Sequence, residues 1–199
     1  MQQPVDVHFS RATRLVHAGL AIAIILQLAT AQFMQSPRRD RPGDSIFELH
    51  EIFGLLAMAL ALAFWVVLIM RHRGTEPGRL VPWFSAERRS AMFRDLGRFL
   101  SSLRSMRLPR YDPGDAFIPA IQGLGLLLMT FMAASGTLYV LAEWSGMGTG
   151  GAIHELMEVH SFFGNLVWAY VIGHAGMAMV HEFIGDLRIS QMWSLRRGD

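Results

Sequence analysis

Four apolar stretches, each at least as long as the roughly 20 helical residues a bilayer requires, constrain this chain more than any other feature. They run near residues 15–34, 46–70, 117–141 and 153–183. The apolar fraction is 52% and the charged fraction 17%, a composition at which such runs indicate a membrane protein. In lipid every backbone N–H and C=O must be paired inside its own segment, and no barrel-type alternation is present, so each run is read as a helix. The expected fold is all-α: an integral membrane four-helix bundle, one transmembrane domain over residues 1–199. The N-terminal "MQQPVDVHFSRATR" is polar and no small-residue cleavage site follows the first run. That run is therefore expected to remain as an anchor rather than depart as a signal peptide.

Arginine placement predicts orientation, because cytoplasmic loops of membrane proteins carry excess positive charge. All 18 basic residues are arginine. Arg11 and Arg14 precede the first span, ten arginines lie from Arg71 to Arg110, and Arg188, Arg196 and Arg197 follow the fourth. Only Arg38, Arg39 and Arg41 lie in the other connections. Both termini and the long middle loop are expected in the cytoplasm, and the connections at 35–45 and 142–152 in the periplasm. A bacterial inner-membrane location follows, with membrane lipid as the surroundings and no nucleic-acid partner expected. Within the middle loop, Met92, Phe93, Leu96, Phe99, Leu100, Leu103 and Met106 recur at helical spacing among arginines. This predicts an amphipathic segment over 86–106, lying on the cytoplasmic leaflet or solvated between spans.

Eight histidines are distributed over this apolar background, and a histidine in hydrocarbon usually has a partner. His160 and His174 are 14 residues apart, which places them on one helical face within about 40° and roughly 21 Å apart along the axis. His154 is 20 residues from His174, on roughly the opposite face, and is read as a helix-end histidine. His8 and His72 are read as surface residues. By depth, His17 near the start of the first span matches His174, and His50 near the start of the second matches His160. Ser10 has the side chain of an N-cap and would start the first helix upstream of its apolar window. His181 follows His174 by seven residues and shares its face.

Two imidazoles on facing helices suit the axial positions of a haem iron, whose macrocycle the helices would cover. A bare zinc site would want four clustered ligands. Structural histidines or another metal are the alternatives. The chain has no cysteine, which excludes disulfides, thiolate sites, iron–sulfur clusters and covalently attached c-type haem. Gly54 and Gly164 each follow a periplasmic-side histidine by four residues, while Gly19 and Gly176 follow the cytoplasmic-side pair by two. Glycine at such positions would let a flat group approach the backbone, although small residues also serve helix packing. Arg14, Arg11 and His181 are candidates to meet haem propionates at the cytoplasmic edge.

The segments "RATRLVHAGLA", "HEIFGLL", "SG" (Ser135–Gly136) and "HSFFGNLVWAYVIGHAGMAMVHEF" resemble the bacterial cytochrome b561 family and the b-type subunits of nickel–iron hydrogenases and formate dehydrogenases. The resemblance implies four helices holding two b haems, with ligands falling on His17 and His174 at the cytoplasmic side and His50 and His160 at the periplasmic side. It also implies electron exchange with the membrane quinone pool, quinone serving as substrate. One activity it allows is a stand-alone superoxide:quinone oxidoreductase, for which Arg38, Arg39 and Arg41 would attract the anion. Another is a membrane anchor carrying electrons from a periplasmic dehydrogenase or hydrogenase, which would be its redox partner. A contrasting expectation is a haem-free metal-binding or scaffolding module.

Overall fold

A computed structural model describes residues 9–38, 40–71, 74–107, 112–185 and 188–193. His8, His72, Arg39, Arg73, Arg110, Arg196 and Arg197 lie outside the described residues. The described chain is all-α, with four helices long and apolar enough to span a membrane. These are α1 (Arg11–Phe33), α2 (Ser45–Met70), α5 (Phe117–Trp144) and α6 (Ala152–Phe183). Between α2 and α5 lie the short α3 (Pro77–Leu80), a 3-10 turn (Pro82–Phe84) and α4 (Ala86–Arg104). A short α7 (Ser190–Trp193) follows α6.

Polar caps set the helix ends, which explains why α1 begins four residues before its apolar window. Ser10 Oγ accepts from the Thr13 N–H at 3.1 Å, satisfying one of the free donors of the first turn. Asp44 caps α2 by accepting from the Phe47 N–H at 2.9 Å and also from the Gln35 N–H at 3.1 Å. These two bonds hold the Asp44 carboxylate below its ordinary pKa. The same aspartate closes the α1–α2 turn, in which Arg38 and Arg41 pair through their backbones. Asp115 Oδ1 accepts from Phe117 and Ile118 N–H, both at 2.8 Å, at the start of α5. Before α6 the chain turns through Gly146, Gly148 and Gly151 at φ 73°, 81° and 56°, a backbone region that favours glycine.

The transmembrane helices pack in sequence: α1 on α2, α2 on α5, α5 on α6. Their shared core includes Leu20, Ala23, Ile24 and Leu28 of α1, Ala57 and Ala61 of α2, Leu126, Met129 and Ala133 of α5, and Val167 of α6. Ala57 and Ala61 are almost fully buried; small side chains allow the close helix approach on which packing in lipid depends. Opposite faces carry Ile22, Ile25, Ile52, Val66, Phe162 and Ile172, each more than half exposed, as lipid-facing residues should be. Gly123 has a different duty. A Cβ there would lie 1.8 Å from the Leu80 carbonyl oxygen, so only glycine admits α3 against α5.

The amphipathic segment is helical over Ala86–Arg104, but only part of its apolar face is covered. Met92 is buried, whereas Phe93, Leu100 and Leu103 are exposed, and Met106 lies beyond the helix end. An aspartate, Asp95, is buried beside Met92. It accepts from the Ala116 N–H at 2.7 Å and from the Arg98 guanidinium, tying α4 to the start of α5. Burial by itself would raise the Asp95 pKa; the Ala116 N–H and Arg98 outweigh it and lower the value. A folded-state pKa below the unfolded one gives stability that is present above the ordinary carboxylate range. That stability is lost as pH falls through the lowered value. Asp95→Ala should therefore cost about 1–3 kcal/mol at neutral pH in a detergent thermal melt. The gap between wild type and variant should narrow in acid.

Candidate haem-binding sites

α6 carries His160 and His174 on one face, as their 14-residue spacing requires, and each meets a histidine of another helix. His17 of α1 and His174 have ring centroids 6.3 Å apart, tilted by 51°. Two imidazoles bound at ~2 Å to a single metal atom between them would have centroids about 6 Å apart. Aromatic groups stand against this pair. Trp193 and Phe64 stand edge-on to His17 at 5.7 and 6.3 Å. Tyr170 stacks on His174 at 5.4 Å with an interplanar angle of 12°. His17 Nδ1 is buried and has no hydrogen-bond partner among the described residues.

The second pair is organised differently. His50 lies near His160, and each ring is held by a hydroxyl on a neighbouring helix. Thr30 Oγ1 lies 2.9 Å from His50 Nδ1, and Ser135 Oγ lies 2.7 Å from His160 Nδ1. Each hydroxyl also reaches carbonyls of its own preceding turn. Thr30 contacts the Leu26 oxygen at 2.9 Å and Ser135 the Phe131 oxygen at 2.9 Å. Carbonyls only accept, so a hydroxyl proton directed to them leaves the hydroxyl oxygen to accept from the ring. In that arrangement each histidine carries its proton on Nδ1 and presents the Nε2 lone pair, a form in which it can ligate a metal. Gln27 steadies the same region by donating from Nε2 to the His50 carbonyl at 2.7 Å.

The glycines divide. A Cβ on Gly164 or Gly176 would meet nothing within 4 Å, so the α6 backbone is open beside His160 and His174. Gly54 instead makes room for Gln27, whose Nε2 would lie 2.8 Å from a Cβ there, and at Gly19 a Cβ would lie 3.1 Å from the Leu60 side chain. These two glycines serve side-chain packing. Arg14 is half-buried one turn before His17, and His181 occupies the last turn of α6. His154 is exposed in the first turn, 4.0 Å from Glu158, as expected of a helix-end histidine.

A family model described as prokaryotic cytochrome b561 matches residues 8–195. The chain belongs to the prokaryotic cytochrome b561 family. No curated protein and no solved structure matches it. Membership establishes a membrane protein of b-type haem electron transfer. The residues present fit such a group: paired imidazoles, open glycine backbone and neighbouring aromatic rings. Among the described residues no three His, Cys, Asp or Glu side chains cluster closely enough to hold a metal ion directly. A bare-ion site would be short of ligands.

Thr30, Ser135, Gln27, Tyr170, Trp193 and Gly125 were not singled out as site residues by spacing. A hydroxyl in an apolar helix ordinarily satisfies itself on the preceding turn and carries no signal. Tyr170 depends on Gly125, where a Cβ would lie 1.9 Å from the Tyr170 Cζ. Gly125→Val should therefore displace the ring from its stack on His174 and destabilise the bundle by about 1–3 kcal/mol. A detergent melt and tyrosine fluorescence would check this, with unchanged values in both contradicting the packing argument.

Proposed function

We propose that this cytochrome b561 carries electrons between two b-type haems, one held by His17 and His174 and the other by His50 and His160. The observation that carries the proposal is the 6.3 Å approach of His17 to His174 at one end of a helix whose other end presents His160. Each haem supplies a one-electron iron couple inside the membrane. The chain's residues supply the rest. Imidazole Nε2 atoms would ligate the iron, Thr30 and Ser135 would orient the His50 and His160 rings, and Tyr170, Phe64 and Trp193 would shield the other pair from water. Arg14 and His181 would meet propionates at the His17–His174 end. The positive-inside distribution supports a cytoplasmic face for that end and an inner-membrane location.

Quinone is the proposed acceptor, as a lipid-soluble two-electron carrier. The activity favoured here is oxidation of superoxide. Two superoxide anions each give up one electron and leave as dioxygen, and one quinone takes both electrons with two protons. Arg38 and Arg41, exposed in the α1–α2 turn, support it by presenting positive charge at the His50 end. The competing role is that of an anchor for a periplasmic dehydrogenase or hydrogenase. Purification from native membranes separates the two: a stoichiometric partner subunit means anchor, whereas an isolated chain reducing quinone with superoxide means enzyme.

Ligation is tested by substitution. His17→Ala and His174→Ala should each remove the same haem, and His50→Ala and His160→Ala the other, halving the reduced b-type absorbance. Spectra unchanged by all four substitutions would refute the assignment.

A further inference from the structure

We infer that Thr30 and Ser135 are positioning residues that make the centre between His50 and His160 the more reducing of the two. The inference rests on the ligand assignment proposed above. Both rings of this pair place Nδ1 at hydrogen-bonding distance from a hydroxyl, 2.9 Å for His50 and 2.7 Å for His160, and with Nε2 as the ligand atom each Nδ1–H donates to that oxygen. The hydroxyls are held in place because their own protons are committed to α1 and α5 carbonyls. A ligand ring that donates its distal N–H is a more basic ligand. Greater basicity favours ferric over ferrous iron and lowers the reduction potential.

The other pair has no such arrangement. His17 Nδ1 is buried without a hydrogen-bond partner among the described residues, and His174 is met by the face of Tyr170. A ligand ring without a hydrogen-bonded distal nitrogen is the less basic ligand, so that centre is the more oxidising. Electron transfer is then downhill along α6 from the His50–His160 end to the His17–His174 end. The asymmetry comes from two side chains on α1 and α5 that are not themselves ligands.

The test is redox titration of purified full-length protein, with haem content and low-temperature electron paramagnetic resonance recorded on the same samples. Wild type should show two midpoints. In Ser135→Ala or Thr30→Val the lower midpoint should rise, the reduction equilibrium shifting about tenfold toward ferrous iron, or 59 mV for a one-electron couple. The upper midpoint should stay fixed. Ser135→Thr and Thr30→Ser keep the acceptor oxygen and should retain the wild-type midpoint. The centre that shifts should be the one missing from His160→Ala. Unshifted midpoints with haem retained would overturn the inference, as would a shift in the centre that His17→Ala removes. If Ser135→Ala loses its haem, Ser135→Thr decides. Retention at the wild-type midpoint supports the hydrogen bond, and loss there too overturns it. Wild type that binds no haem would instead refute the ligand assignment itself.

Discussion

Four imidazoles set into an apolar bundle impose the constraint around which the rest is arranged. An imidazole in hydrocarbon needs a partner for each ring nitrogen, and the bundle has little polar surface to offer. The structure meets the need at one end with Thr30 and Ser135 and at the other sets Tyr170 against His174 and Phe64 and Trp193 against His17. Neither arrangement uses the Nε2 atoms. In the proposed ligation those atoms would be directed to haem iron, which would complete their bonding.

The helices are organised to serve that arrangement. α6 packs along α5, and the chain of contacts from α1 through α2 to α5 holds the facing histidines opposite it. Small residues make this possible: Ala57 and Ala61 let the helices close, Gly123 admits α3, and Gly125 admits the Tyr170 ring. Outside the bundle, Asp95 joins α4 to the start of α5, so the long connection is fixed to the span that carries Ser135.

Much of this was legible in the residues. Length and hydropathy specified four spans, and the 14-residue spacing specified one face of the last helix with a histidine at each end. Matching depth then paired them across helices. What spacing could not supply was the contact partner of each ring. Thr30 and His50 are 20 residues apart, and Ser135 and His160 25, on different helices. Their meeting depends on helix rotation and not on any periodicity within one segment. The glycines show the same limit. Gly164 and Gly176 have open backbone as their positions suggested, but Gly19 and Gly54 accommodate Leu60 and Gln27, neighbours visible only once α1 is docked on α2.

Ligation of two irons by four imidazoles is most directly examined by electron paramagnetic resonance of the oxidised wild-type protein alongside its haem stoichiometry. The account predicts two haems per chain, both low-spin with two histidine ligands. One haem per chain, a high-spin signal, or no porphyrin iron at all would contradict it.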